Sequence, residues 1–419
     1  MAAPGHPEDA RVLCGPGTAR RRVPALLKHE FPSIQGKAYL DWAAVGAPPL
    51  RAINAVRSYY DLLERDPEAA MSAAAQLNAR QAAREALAPL VGCQPERLNL
   101  AGTSTTAAVQ LAVDAIGLQK GDNVVVLDMD FPLMYQEAAR LKMRGVEVRV
   151  VANSDGDYEL DQFYSVIDRR TKALIVSSVQ WVNGLRLDVG ELAKLVHEVE
   201  GYIVVDAIQH VGALRLAADA LNLDFVAFGT HKWLLAPFGA GFLCVGRRAA
   251  EELQPPRPGY LNMPVRDWDS FWESPSKEPF RYPPFDQASG LRFEYGGTFP
   301  PAPLLGAASS ASLINEIGVE NVEAHILRLR RELSEELEDM GAEVVSPPEA
   351  SKASGILTFR LDGGPSRNFE VVRRLRARGI MVSGRGAAGV WGIRASLHFP
   401  NDEDDVEALV EALRGLRSL

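Results

Sequence analysis

Apolar and polar positions change period several times along the chain. Residues 50–91 are rich in Ala, Arg and Leu at helical spacing, which predicts helices. From about residue 97 the pattern becomes strand–helix alternation. The apolar β-branched runs NVVVLDMD, VEVRVVA, ALIVSSV, YIVVDAI, DFVAFG and GAGFLCVG predict strands, and TTAAVQLAVDAIGL, YQEAARLKMRG and VGELAKLVHEVEG predict amphipathic helices between them. Such alternation indicates an α/β layer on a largely parallel sheet, buried on both faces. The alternation stops near 250, where residues 254–290 are packed with Pro and aromatics. That composition predicts an ordered, irregular loop of the kind that covers sites. Its Trp268 and Trp272 suit either a bulky substrate or plain core packing. A helical region at 303–341, the strands EVVSP, ASGILTFRLD, IMVSG and GIRASLHF, and two further helices predict a second lobe from 301 to 419. The expected division is a tail at 1–30, partly disordered, a large α/β domain at 31–300 and a small α+β domain at 301–419.

A chain of 419 residues buries a large core, and 47% hydrophobic with 24% charged residues is ordinary globular composition. A net charge of -9 argues against nucleic acid as a partner, because phosphate backbones reward clustered Lys and Arg. The run Arg20-Arg21-Arg22 reads as solvated tail. No apolar run approaches the length of a membrane span, and the first residues carry acids and prolines where a signal peptide needs apolar ones. A cytoplasmic protein is expected. Cys14, Cys93 and Cys244 are far apart and the seven histidines are scattered, so neither a disulfide framework nor a metal site is expected.

The chemistry concentrates between Val204 and Gly241. Asp206 closes the run YIVV, and Lys232 follows the next strand behind Thr230 and His231, ahead of a Pro/Gly-rich turn. An acid and an amine at neighbouring strand ends can address opposite sides of one bound ring. They suit a cofactor aldehyde held by Lys232 as a Schiff base while Asp206 keeps a ring nitrogen protonated, which makes pyridoxal phosphate the first hypothesis. Asp206 alone also reads as a helix N-cap, and Lys232 alone as a solvated loop lysine. Gln209 is within reach of the same ring's phenolic oxygen, and Thr230 and His231 of its phosphate. Gly102, Thr103, Ser104, Thr105 and Thr106 lie between a strand and a helix, where free amides and hydroxyls cradle an anion or simply cap the helix. The turn is neither a G-x-G-x-x-G nor a Walker loop, which weakens a nucleotide-binding reading.

At this point the chain resembles the class V aminotransferase group of fold-type I pyridoxal-phosphate enzymes, which includes cysteine desulfurases and isopenicillin-N-epimerase-like proteins. The resemblance runs from about Tyr39 to the C-terminus through YLDWAAVG, GTSTTAAVQLA, DAIQ, THK with its Gly-rich turn, FEYGGT and GIRASLHFPNDEDDVEALV. It implies a large domain built on a mostly parallel seven-stranded sheet and a smaller α+β C-terminal domain. It also implies that Lys232 holds the cofactor and shuttles the Cα proton, Asp206 pairs with the pyridinium nitrogen and Gln209 with the ring hydroxyl. Thr105, Thr106, Thr230 and His231 then bind phosphate. Gly297 and Thr298 reach the phosphate of a neighbouring subunit, which implies a homodimer with shared sites. Arg394 clamps the carboxylate of a small amino-acid substrate.

Two departures shape the expected reaction. Phe131 stands where desulfurases stack a His on the ring; it is able to stack but not to move protons, and it also reads as core. The loop before Arg394, VSGRGAAGVWG, has no Cys to accept sulfur, so the chain is expected not to be a cysteine desulfurase. Arg385 in that loop meets a second acidic group on the substrate or caps the loop. The expectation is therefore deprotonation at Cα of an L-amino acid, followed by elimination or epimerisation ahead of transamination. A non-catalytic relative of the fold is a distant competitor.

Overall fold

The computed structural model describes residues 27–265, 283 and 290–417. Cys14, Arg20, Arg21, Arg22, Trp268 and Trp272, with most of the 254–290 loop, lie outside the described residues. Three helices lead in: α1 (Leu50–Arg65), α2 (Pro67–Met71) and α3 (Ala73–Val91). A short strand, β1 (Ala38–Tyr39), precedes them. The alternating segment then supplies β2 (Leu98–Gly102), α4 (Thr105–Ile116), β3 (Asn123–Leu127), α5 (Pro132–Met143), β4 (Glu147–Val151) and α6 (Leu160–Tyr164). It continues with β5 (Thr171–Ser177), α7 (Val189–His197), β6 (Tyr202–Asp206), β7 (Phe225–Gly229), β8 (Gly241–Val245) and α8 (Arg247–Glu252).

These strands form one seven-stranded sheet in the order β2-β8-β7-β6-β5-β3-β4. Every pair is parallel except the two that β8 makes with β2 and β7. The expected mostly parallel sheet is thus present. Strands β3, β7 and β8 are buried at every position because both faces are covered. Alternate residues enter two cores: Leu174, Val176, Ile203, Val205 and Val226 pack with α3 and α7, and Ala173, Ile175, Val204, Phe225 and Ala227 with α4 and α5. Side chains of period two feed two different helix layers.

The C-terminal layer follows α9 (Pro301–Ile317) and α10 (Val319–Asp339). It holds β9 (Glu343–Val344), β10 (Ile356–Arg360), α11 (Gly364–Ala377), β11 (Ile380–Met381), β12 (Ser383–Ala387), β13 (Val390–Ser396) and α12 (Glu403–Arg417). Four of its strands make an antiparallel sheet, β12-β13-β10-β9, so this is an α+β layer. Two placements differ from a clean cut at 301. Leu304, Ala311, Leu313 and Ile314 of α9 pack into the large core, and the passage to the second core falls within α10, between Ile326 and Leu329. Near the other end, β1 pairs in parallel with β11, and Asp41 bridges to Ser396. Among the described residues no helix is long and apolar enough to cross a membrane, and no group of three or more His, Cys, Asp and Glu is placed to hold a metal.

Candidate active site

Because β2, β3, β5, β6 and β7 all run the same way, their C-terminal ends share one edge of the sheet. Ligands of open α/β sheets collect at such an edge. The strand ends bring Thr105, Asp130, Phe131, Ser177, Asp206 and Lys232 there together.

Lys232 lies in the loop after β7. Its backbone is held on two sides: Leu235 N–H donates to the Lys232 carbonyl at 3.0 Å, and Gly46 N–H donates to the His231 carbonyl at 2.8 Å. Gly46 has no room for a side chain, since a Cβ there would stand 2.0 Å from the Lys232 carbonyl oxygen. Leu235, three residues on, takes φ of 53°, a left-handed conformation uncommon for a branched residue. The loop is therefore shaped around the lysine. Burial pushes the Lys232 ammonium down to about 8; Asp206 opposes that shift, and Arg394 and Arg385 add to it. Far more of this amine is neutral, and so nucleophilic, near physiological pH than of an exposed lysine.

Asp206, on the neighbouring strand end, is buried, and its Oδ1 accepts the Ile208 N–H at 2.9 Å. Burial raises its carboxyl, against that bond and the charge of Lys232. A second buried carboxylate, Asp130, closes the turn after β3. It accepts the N–H groups of Phe131 at 2.9 Å and Ser177 at 3.0 Å, and also the Ser177 hydroxyl. Burial raises it to about 6. Ser177 pairs in register with Asp206, so the two carboxylates stand on either side of β5, and the charge of Asp130 adds to the rise of Asp206. Asp130 stands three residues beyond the end of β3, so the pattern of an Asp closing an apolar strand does not mark it.

Phe131 is 42% exposed, with its ring edge-on to Trp181 at 5.6 Å and Lys232 Nζ at 5.5 Å from its centroid. It faces the site and is not core. At the start of α4, Ser104 caps the helix through Ala107 N–H, which leaves the Thr105 hydroxyl buried with no partner. A Cβ at Gly229 would meet Thr105 Oγ1 at 2.8 Å and His231 Nδ1 at 3.5 Å, so hydroxyl, imidazole and helix N-terminus converge at the end of β7. The His231 ring stacks on Phe238 at 4.3 Å, and burial, then Lys232, lowers it to about 4.

Other expected residues are differently engaged. The Thr230 hydroxyl donates to the Pro237 carbonyl at 2.8 Å and holds the turn after Lys232. Gln209 donates to the Ala43 carbonyl at 3.1 Å and accepts from Trp233 Nε1 at 2.7 Å. Thr106 is exposed on the first turn of α4. Gly297 and Thr298 line, with Gly102 and Thr103, a separate cavity of about 650 Å³. The Gly297 carbonyl there accepts from Arg80, which with Arg84 forms a buried double ion pair to Glu294.

Arg394 comes from β13 of the C-terminal layer and is buried. Its Nη1 donates to the Trp181 carbonyl at 2.7 Å, while Nε and Nη2 have no hydrogen-bond partner. Asp41 Oδ1, at 3.7 Å, is too distant for a good bond and is already bonded by the Ser383 hydroxyl at 2.6 Å. Burial, then Arg385, lowers Arg394 to about 10. Asp41 and Trp181, which set this arginine, were not foreseen; Asp41 stands inside the YLDW segment.

The expected cofactor can be tested against these groups. A ring with an aldehyde, a nitrogen and a phosphate needs an amine, an acid and an anion cradle. Lys232, Asp206 and the partnerless Thr105 hydroxyl beside His231 supply them. A buried hydroxyl and two guanidinium nitrogens left unsatisfied are costly unless a ligand completes them. The residues fit.

Known proteins give the same picture. A family model described as aminotransferase class-V matches residues 38–409. The chain is 25% identical over 408 residues to a probable cysteine desulfurase of Methanothermobacter thermautotrophicus, covering 94% of this chain and 98% of that protein. It is 30% identical to isopenicillin N epimerase of Amycolatopsis lactamdurans, covering 80% and 84%. Its fold is shared with the cysteine desulfurase of Thermococcus onnurineus NA1, at a TM-score of 0.81 and 21% identity over 96% of this chain. These likenesses overturn the expectation of an enzyme that is not a cysteine desulfurase and that eliminates or epimerises ahead of transaminating. The lack of a Cys between Ser383 and Trp391 removes a resident sulfur acceptor, but a thiol from another molecule can attack the substrate's sulfur in its place.

Proposed function

The chain belongs to the aminotransferase class-V family, and from that premise we propose that it removes sulfur from L-cysteine or a cysteine-derived amino acid. It is a pyridoxal-phosphate-dependent enzyme. The observation that carries the desulfurase reading is the match to desulfurase-named relatives over nearly the whole chain. The intact set of Lys232, Asp206 and Arg394 supports it.

The cofactor supplies an aldehyde that takes the substrate amine and a ring that withdraws electrons from Cα. The chain's residues do the rest. Lys232, its ammonium pushed down to about 8, presents a neutral amine that captures the cofactor and then moves a proton at Cα. Asp206 would face the ring nitrogen and Phe131 the ring's face. Thr105 and His231 receive the phosphate at the N-terminus of α4. Arg394 takes the substrate carboxylate with Nε and Nη2. The two described cysteines are buried thiols, and Cys244 pairs with Leu98 and Val226 well below the strand ends. The sulfur acceptor is accordingly an external thiol: one L-cysteine and one thiol give one L-alanine and one persulfide.

A homodimer in which Gly297 and Thr298 approach the neighbour's phosphate belongs to the same proposal, as does a cytoplasmic setting, where thiols stay reduced. The test follows alanine, sulfide plus persulfide, pyruvate and ammonia from L-cysteine with an added dithiol. Alanine and sulfur are expected in equal amounts, and Lys232→Ala abolishes both together with the protein's visible absorbance. Pyruvate and ammonia in place of alanine would overturn the reading, as would an oxo acid that appears only with an added amino acceptor.

A further inference from the structure

We propose that Arg385 holds a second anionic group on the substrate, so that the site selects amino acids with one charge at the α-carboxylate and another beyond Cβ. The cysteine-derived arm rests on the function proposed above; the second charge rests on the following geometry.

Arg385 and Arg394 lie on adjacent antiparallel strands, with Ser383 opposite Arg394 and Arg385 opposite Gly392. Directly opposed residues share a face, and so do residues two apart on one strand. The two arginines are therefore diagonal neighbours on one face, roughly 7–8 Å apart at the backbone. Gly392 presents no side chain against Arg385, and the place a Cβ would take there is already filled by the Phe359 carbonyl and the Thr358 methyl. Arg394, on the same face, is the group with two partnerless nitrogens. The pair thus spans about the length of a short dianion.

The charges around it are out of balance. Lys232, Arg385 and Arg394 interact with one another across the site. Asp41, the nearest carboxylate to Arg394, is already shared between the Ser383 hydroxyl and Arg376. Among the described residues Arg385 has no carboxylate within ion-pair distance. Its one hydrogen bond runs from Nη1 to the carbonyl of Gly384, its own neighbour, at 2.9 Å. A half-buried guanidinium anchored at one nitrogen keeps Nε and Nη2 available, the fork that carboxylates and sulfonates fit. Capping the loop occupies only the Nη1 side.

The test uses the full-length, cofactor-loaded protein and amine-free probes that cannot condense with the cofactor. Calorimetry compares propionate, 3-sulfopropionate and 3-(carboxymethylthio)propionate. These carry one charge, a second charge at the sulfur position, and a second charge further out. At least a tenfold preference for one of the dianions over propionate is expected. Arg385→Gln erases that preference while weakening propionate far less than the dianions, Arg385→Lys retains part of it, and Arg394→Gln weakens all three probes. Equal affinity for all probes in the unaltered protein, or an undiminished preference in both Arg385 variants, would overturn the proposal. Dianion preference without sulfur release from cysteine sinks only the cleavage reading. Sulfur release without the preference sinks only this one.

Discussion

At the scale of single residues, the site is governed by what burial does to charge. Lys232 is pushed down to about 8 by desolvation, with Arg394 and Arg385 contributing in the same direction. Capture of an aldehyde requires the unprotonated amine, so the rate at which cofactor-free protein takes up pyridoxal phosphate should climb as pH rises through about 8. Replacing Arg394 or Arg385 by Gln removes a positive neighbour, raises the amine, and moves that climb to higher pH. Stopped-flow absorbance across pH 6–10 checks it, and a profile unmoved in both variants would be the failing result. Most of these residues were legible beforehand: Lys232, Asp206, Thr105, Phe131 and Arg394 all face one strand edge. Thr230 and Gln209 were legible as types but not in their bonds, because a hydroxyl or amide takes whichever partner the fold brings nearest. Asp41 and Trp181 were invisible as partners of Arg394, from which they stand hundreds of residues apart in sequence.

At the scale of elements, the loop from Thr230 to Ala240 is a fixed cradle. Its close neighbour is Gly46, whose hypothetical Cβ meets the Lys232 carbonyl oxygen at 2.0 Å and the Leu235 Cα at 3.2 Å. Backbone atoms cannot swing aside as a side chain does. Gly46→Ala should therefore cost about 1–3 kcal/mol, as overpacking does, and should also reduce cofactor retention by displacing Lys232. Urea unfolding and visible absorbance after gel filtration measure the two effects; a variant matching the parent in both would contradict this account of the loop. Strand β12 makes the complementary point. Its sequence, SGRGA, has none of the apolar alternation that announces a strand, and it is one because β13 pairs with it residue by residue. The edge of a sheet is set by its partner.

At the scale of the molecule, α10 joins the two layers. Val322 and Ile326 pack into the large core and Leu329, Leu333 and Leu337 into the small one, on a single continuous helix. Unfolding of either layer should pull on the other. Leu329→Ala, which empties a fully buried site, should cost about 2–5 kcal/mol. Tryptophan fluorescence and far-ultraviolet circular dichroism should still report coincident transitions. Two separated transitions would mean that the layers fold independently. The pairing of β1 with β11 acts the same way from the N-terminal side, because it ties the segment carrying Asp41 to the layer carrying Arg394.

The sequence by itself determined the α/β class, the largely parallel sheet, the cofactor and the residues at strand ends. Those follow from periodicity and from side chains that act where their own strand stops. Tertiary structure alone decided that Asp130 bonds Ser177 one strand away from Asp206, that Arg394 reaches the Trp181 carbonyl from the other layer, and that Arg385 shares its face without a carboxylate. Each of these depends on register and on packing between distant segments, and local pattern carries no record of either.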